Sequence, residues 1–303
     1  MSAKIWEAEW DVSEDLAQRL IGRQFPQLAA RPVRRLGHGW DNTVYRVGDE
    51  YVFRFPRRDI AVELLQREGM LLPKLADRLP IPFPKPMFYG GVDDEYPCPF
   101  LGYTYVSGTF PIGLSDEQRT ASAPVLAQFL KSLHSTPVSI AKEARAPLDH
   151  RNLRDVAARK ERMQRFLSDL SALTQEEEIR TVAGYLERLE IGPLTQSDVL
   201  LHGDLHFKNM LVDEAGRLSG IIDWGDIGIG HPGCDLNIVY SFLPAKARSR
   251  FFEEYGEVDE ATKGLARMMA VYIPMLIWMQ ALDAKEEAVA AEARAVIRRA
   301  LED

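Results

Sequence analysis

Cysteine is nearly missing from this chain: Cys98 and Cys234 are the two in 303 residues, and they do not form a C-x-x-C pair. So few cysteines exclude a disulfide framework, and a reducing cytoplasm is the expected compartment. Also missing is any apolar run of the roughly 20 residues that a spanning helix needs. The most apolar stretch, "AVYIPMLIWMQAL" (270–282), is shorter and contains Pro274, so a buried helix is expected and no membrane partner. The opening "MSAKIWEAEWDV" has no basic segment leading into an apolar core, so no secretory leader is expected. Positive charge is in deficit, 37 Lys and Arg against 45 Asp and Glu, for a net charge of −8. That balance disfavours nucleic acid as a partner and leans toward cationic small molecules, although solubility alone would explain it equally well. There is no H-E-x-x-H or Cys/His cluster to hold zinc, no internal repeat, no low-complexity tract and no flexible linker.

What is present is ordinary for a soluble globular enzyme, with 46% hydrophobic and 27% charged residues. The length allows one large domain or two lobes with separate cores. "SEDLAQRLIGRQF" (13–25) predicts a helix with Ser13 as its N-cap, and three β-like runs follow: "PVRRLGHG", "NTVYRVG" and "YVFRF". "VGDE" should join the last two as a hairpin. Residues 59–79 read as a helix that Pro73 must kink or split. "LPIPFPKPMFYGG" reads as an extended connection into a strand, and "PFLGYTYVSGTFP" (99–111) as a strand ending in a Gly-Thr turn. Beyond residue 115 the pattern is helical, interrupted by "NMLVDEAGRLSGIIDW", two apolar runs around a hairpin turn. The expectation is an α+β chain of two lobes: 1–106, β-rich, ending in a connection near 103–106, and 107–303, mainly helical.

The chemistry concentrates in "LLHGDLHFKNMLVDEAGRLSGIIDWGD" (200–226), which carries two histidines, an asparagine and five acidic residues between apolar runs. Phosphoryl transfer from a nucleotide needs a cover for the phosphates, a cation on them, two magnesium ligands and a group that orients the acceptor hydroxyl. Asp204 and Asn209 stand at the spacing of the protein-kinase catalytic loop. A carboxylate can orient the hydroxyl and receive its proton, while an amide oxygen is a hard ligand suited to Mg²⁺. Asp223 supplies a second magnesium ligand, with Gly225 expected to permit the sharp turn behind it. His202 is expected to brace the loop, His206 to be an exposed variant position, and Asp235 to anchor the loop that follows Asp223. Trp278 and Met279 read as helix core. The acidic run "FFEEYGEVDE" (251–260) reads as a solvated face with a lesser chance of attracting an amino sugar.

Taken together, "HGDLHFKN" and "IDWGD" resemble the aminoglycoside phosphotransferase family, a protein-kinase-like group. It also includes macrolide phosphotransferases and choline, homoserine and fructosamine kinases. The resemblance continues through "RRLGHGWDNTVYRV", similar to the nucleotide-covering hairpin, "YVFRFPRR", similar to the strand with the phosphate-binding cation, and "PFLGYTYVSG", similar to the hinge. It implies a two-lobed kinase-like fold using ATP or GTP and Mg²⁺, with Asp204 as catalytic residue and Asn209 and Asp223 as metal ligands. It further implies that Gly37, Gly39 and Asn42 cover the phosphates. Arg54 would contact them and pair with Glu68 (Glu63 being the rival), and the base would meet the backbone near Thr104 and Val106, beyond the bulky Tyr103. Two positions depart from the pattern. Arg54 stands where Lys is usual, and Asn42 stands where kinases place a third glycine, a position Asn could fill by tolerating positive φ. The acceptor implied first is a hydroxylated, cationic antibiotic of the aminoglycoside type. Alternatives are a macrolide 2′-phosphotransferase, a metabolite kinase of the choline or homoserine kind, and a catalytically silent nucleotide-binding protein.

Overall fold

The computed structural model describes residues 9–39, 41–149, 152 and 154–302. Two compact units divide the chain: Met1–Asp77 with Pro82–Val106, and Arg78–Ile81 with Ser107–Asp303.

The first unit is built on a five-stranded antiparallel sheet. Its strands are β1 (Val33–His38), β2 (Asn42–Val47), β3 (Tyr51–Pro56), β4 (Pro86–Gly90) and β5 (Phe100–Thr104), in the order β1-β2-β3-β5-β4. Helix α1 (Glu14–Gln24) starts where Ser13 Oγ accepts the Leu16 amide at 3.2 Å, as its sequence predicts. It buries Ala17, Leu20 and Ile21 in one core with Tyr45, Phe53, Phe55 and Phe100 from the sheet. Alternation along the strands sends every second side chain the other way. Phe53 and Phe55 enter the α1 core while Arg54 between them does not, and Phe100 enters it while Leu101 turns toward α2 (Asp59–Leu75). Gly102 leaves room for the Phe53 ring, which a Cβ there would meet at 2.5 Å.

Helix α2 corrects an expectation. Pro73 does not split it, and the helix runs on past the proline to Leu75, short of the expected 79. A proline at 73 deprives the Gly69 carbonyl of its helical donor, and the Tyr89 hydroxyl of β4 donates to that carbonyl instead, at 3.0 Å. Gly69 makes this approach possible, because a Cβ there would lie 3.2 Å from the Tyr89 ring.

The second unit is mainly helical. Helices α3 (Asp116–Ala121) and α4 (Ala123–His134) are separated only by Ser122, and α5 (Val138–Glu143), α6 (Val156–Leu173) and α7 (Glu177–Arg188) follow. Two short antiparallel pairs interrupt the helices: β6 (Val199–Leu201) with β9 (Gly228–Gly230), and β7 (Met210–Val212) with β8 (Leu218–Ile221). The second pair is the hairpin that the sequence predicts. Its turn is held by Asp213, whose carboxylate accepts the Ala215 and Arg217 amides. Helices α8 (Asn237–Ser241), α9 (Ala245–Tyr255), α10 (Glu260–Ala284) and α11 (Glu287–Leu301) complete the unit. The apolar run 270–282 belongs to α10, which at 25 residues is longer than expected and is long and apolar enough to cross a membrane by composition. In the fold, 72% of its most apolar window is buried, including Trp278, and Pro274 lies within it.

Candidate functional site

The residues between β6 and β7 form a loop braced from several directions. Gly203 has φ +85°, and a Cβ there would meet the Asp226 carbonyl oxygen at 2.2 Å, so only glycine permits this approach. His202 is fully buried. Its Nδ1 accepts the Asp204 amide at 3.3 Å and its Nε2 lies 3.0 Å from the Ile222 carbonyl, which requires the Nε2–H tautomer. Its ring lies against Trp224, centroids 4.7 Å apart. The histidine is therefore a brace, as its sequence context suggests.

Asp204 and Asn209 come together at the loop's centre. The Asn209 amide nitrogen donates to the Asp204 carbonyl at 2.8 Å and approaches its Oδ2 at 3.3 Å. Those contacts fix which way the amide faces and turn its oxygen elsewhere. The backbone just before Asp223 is tied to the same loop: the Ile222 amide donates to the Asn209 carbonyl at 2.9 Å, while the Ile222 carbonyl meets His202. Asp223 itself has φ +61°, a left-handed conformation uncommon for a side-chain-bearing residue. The sharp turn thus falls on the aspartate and not on Gly225, which does not adopt positive φ. His206 also departs from expectation. It is not a free surface group: its Nδ1 accepts the Lys208 amide at 3.2 Å and its Nε2 faces Asp204 Oδ2 at 3.4 Å.

Asp235 does not anchor the loop after Asp223. Its carboxylate accepts the His202 amide at 2.7 Å and the Gly203 amide at 3.0 Å, so it holds the start of the 202–209 loop. Behind it, His134 Nε2 lies 3.4 Å from Asp235 Oδ2, and the Tyr255 hydroxyl is 2.7 Å from His134 Nδ1. Burial, with the Asp235 charge nearby, holds the Tyr255 phenol well above its ordinary value, so it stays protonated. Asn237 donates to the Leu205 carbonyl at 3.0 Å. Neither His134, Tyr255 nor Asn237 is singled out by the sequence, since nothing local marks partners lying 32 to 121 residues away. The acidic run 251–260 is split between the end of α9 and an open groove with Glu253, Glu257 and Asp259 on its wall, and Tyr255 turns inward to His134.

In the first unit, Arg54, Glu68 and Tyr103 converge. Arg54 Nη1 donates to both Glu68 oxygens, at 2.8 and 2.9 Å, and the Tyr103 hydroxyl donates to Glu68 Oε2 at 3.1 Å. Glu68 is 2% exposed, whereas Glu63 is an exposed residue of the same helix. Burial first, and then the Glu68 charge, push the Tyr103 phenol far above its ordinary value, so it stays a donor. The Thr104 amide donates to the Lys85 carbonyl at 2.9 Å, and the Lys85 amide goes to the Thr104 hydroxyl, not to the Thr104 carbonyl. Gly37 lies in β1 opposite Val44, just past a bulge, with φ +154°, and Gly39 follows the end of β1; at either, an added Cβ would meet no described residue within 4 Å. Asn42 is not a turn residue at positive φ; it begins β2, buried, and its carbonyl accepts the Gly39 amide at 3.0 Å. Val106 closes the unit.

The donor set of the 202–223 region suits one metal chemistry. Among the described residues no three His, Cys, Asp or Glu side chains cluster into a cage. Magnesium does not require one, being held by one or two protein oxygens together with substrate phosphates. An amide oxygen turned away from Asp204 and the Asp223 carboxylate are hard oxygen donors of that kind.

A family model described as the phosphotransferase enzyme family matches residues 32–271. Over 135 residues the chain is 32% identical to an aminoglycoside 3′-phosphotransferase of Escherichia coli, covering 43% of this chain and 48% of that protein. The chain thus spans about half the length of this curated relative. The GDP complex of aminoglycoside 2′-phosphotransferase-IIIa shares the fold, with a TM-score of 0.69 and 22% identity over 95% of this chain and 98% of that one. So does macrolide 2′-phosphotransferase MphH of Brachybacterium faecium, with a TM-score of 0.57 and 20% identity over 93% and 98%. By its match over residues 32–271 and its α+β, kinase-like fold, this chain belongs to the phosphotransferase enzyme family.

Proposed function

We propose that this protein transfers the γ-phosphoryl group of Mg–ATP or Mg–GTP to a hydroxyl of a small molecule, in the first instance a cationic antibiotic of the aminoglycoside type. The observation that carries the reading is the Asp204–Asn209 contact, which holds a carboxylate and an amide together within one braced loop. Asp204 orients the acceptor hydroxyl and receives its proton, a late event in a loose transition state, so a strong base is not needed. Asn209 Oδ1 and Asp223 hold Mg²⁺, which neutralises charge on the phosphates. Arg54, aimed by Glu68, binds those phosphates under the β1–β2 hairpin that carries Gly37, Gly39 and Asn42. The base meets the Thr104 carbonyl and Val106, and the chain works as two lobes joined near 103–106. Solved relatives bound to GDP or to ATP support a nucleotide donor of either kind.

A macrolide acceptor is the second reading, supported by the fold shared with macrolide 2′-phosphotransferase MphH. Nucleoside-diphosphate release across aminoglycosides, macrolides and hydroxylated metabolites, with each nucleotide, tests both. Saturable turnover with kanamycin-like compounds is expected. Turnover with erythromycin-like compounds alone selects the second reading, and nucleotide binding without turnover on any acceptor makes the protein a silent binder.

A further inference from the structure

Three elements deliver Arg54, Glu68 and Tyr103 to one point: β3, α2 and β5. In the β3–β5 ladder Arg54 pairs with Leu101 and Val52 with Tyr103, so Arg54 and Tyr103 are diagonal neighbours on one face of the sheet. Both Glu68 oxygens meet the same arginine nitrogen. That contact fixes the separation of the two groups more firmly than the tilt of the carboxylate. The tyrosine hydroxyl reaches Oε2 from a different element and direction, and Tyr103 is itself 1% exposed in a strand flanked on both sides. A phenylalanine would fill the same volume. The hydroxyl adds a polar group that burial makes costly unless it is bonded, and the group it bonds is the carboxylate carrying the arginine.

We propose that the Tyr103 hydroxyl is a positioning group for nucleotide phosphates: by holding Glu68 it sets the direction in which Arg54 presents its guanidinium. The proposal rests on the reading of Arg54 as the phosphate-binding cation. It gives Tyr103 a role separate from the size of the base pocket, because the tether to Glu68 directs the hydroxyl to the ion pair. Arginine makes such steering consequential, since a planar fork binds phosphate only when correctly presented.

Calorimetric titration of the full chain with Mg–ATP, Mg–GTP and adenosine tests this, using Tyr103→Phe, Glu68→Gln, the double variant and Arg54→Gln. Tyr103→Phe should weaken both Mg–nucleotides by the same factor, about three- to tenfold for a lost bond to a charged group acting through a neighbour, and leave adenosine binding unchanged. In the Glu68→Gln background the same change should have no further effect. If Glu68→Gln weakens Mg–ATP while Tyr103→Phe binds it like the parent, the proposal fails and the reading of Arg54 stands. If Tyr103→Phe weakens adenosine as much as Mg–ATP, Tyr103 serves the base and the proposal fails. If neither Glu68→Gln nor Arg54→Gln changes Mg–nucleotide affinity, the reading of Arg54 fails and the proposal falls with it.

Discussion

Asp204 and its neighbour Gly203 do different work, and substitution separates them. On the proposed role, Asp204→Ala should retain Mg–nucleotide affinity and lose turnover by about 10²–10⁴-fold, the scale of general-base and positioning effects; loss of nucleotide affinity with the saturated rate intact would make Asp204 structural. Gly203→Ala should fail earlier, at folding. Its Cβ has no place beside the Asp226 carbonyl and its φ is positive, so a lowered unfolding midpoint should accompany lost turnover. For the metal, Asn209→Ala contributes only a lost dipole and should be partly rescued by excess Mg²⁺. Asp223→Ala, which removes a full charge, should stay inactive at every magnesium concentration, and turnover that survives it would exclude the residue from the site. The spacing of Asp204, Asn209 and Asp223 was legible in the sequence because the loop and hairpin that carry them are local. The backbone strain was not: Asp223 and Gly225 are two residues apart, and only the folded geometry shows which of them turns.

At the scale of elements, the hairpins and α1 follow from alternation and capping, both short-range properties. What the sequence hid was long-range repair. Pro73 reads as a helix breaker because the compensating hydroxyl comes from β4, and Asp235 reads as a local anchor because its two amide partners lie 32 and 33 residues back. The repair of α2 can be measured. Tyr89→Phe should cost about 1 kcal/mol, typical of a net hydrogen bond. In a Pro73→Ala background the helix supplies its own N–H to Gly69, and the same change should cost less. A double-mutant cycle by urea unfolding reads the coupling; equal costs in both backgrounds would show that Tyr89 does not compensate for the proline. Asn42, read as a turn residue, became the buried start of β2 because its carbonyl takes the Gly39 amide and extends the strand pairing by one residue.

For the molecule as a whole, the α+β class was legible because the β-like runs fall in the first third and the helical periods in the rest, and the kinase-like fold was legible only through the resemblance that "HGDLHFKN" and "IDWGD" carry. Stability should depend on pH through a group that sequence reading passed over. His231 is fully buried, its Nδ1 accepts the Gly233 amide at 3.2 Å, and its Nε2 has no partner among the described residues. Burial, and then Arg154, lower its pKa from the ordinary 6.5. The unfolded chain therefore takes up a proton near pH 6.5 that the folded chain resists, and stability falls as pH drops through that value toward the folded one. The unfolding midpoint should decrease between about pH 7.5 and about pH 5.5, and His231→Gln should flatten that decrease; an unchanged slope would remove His231 as its source. A last consequence concerns protein engineering. The left-handed backbone at Asp223 suits glycine or asparagine better than aspartate. A library selected only for heat resistance would then drift away from the carboxylate at this position. On the proposed role it would return hardy, well-folded proteins that no longer hold magnesium, so selections on this scaffold need an activity screen alongside the thermal one.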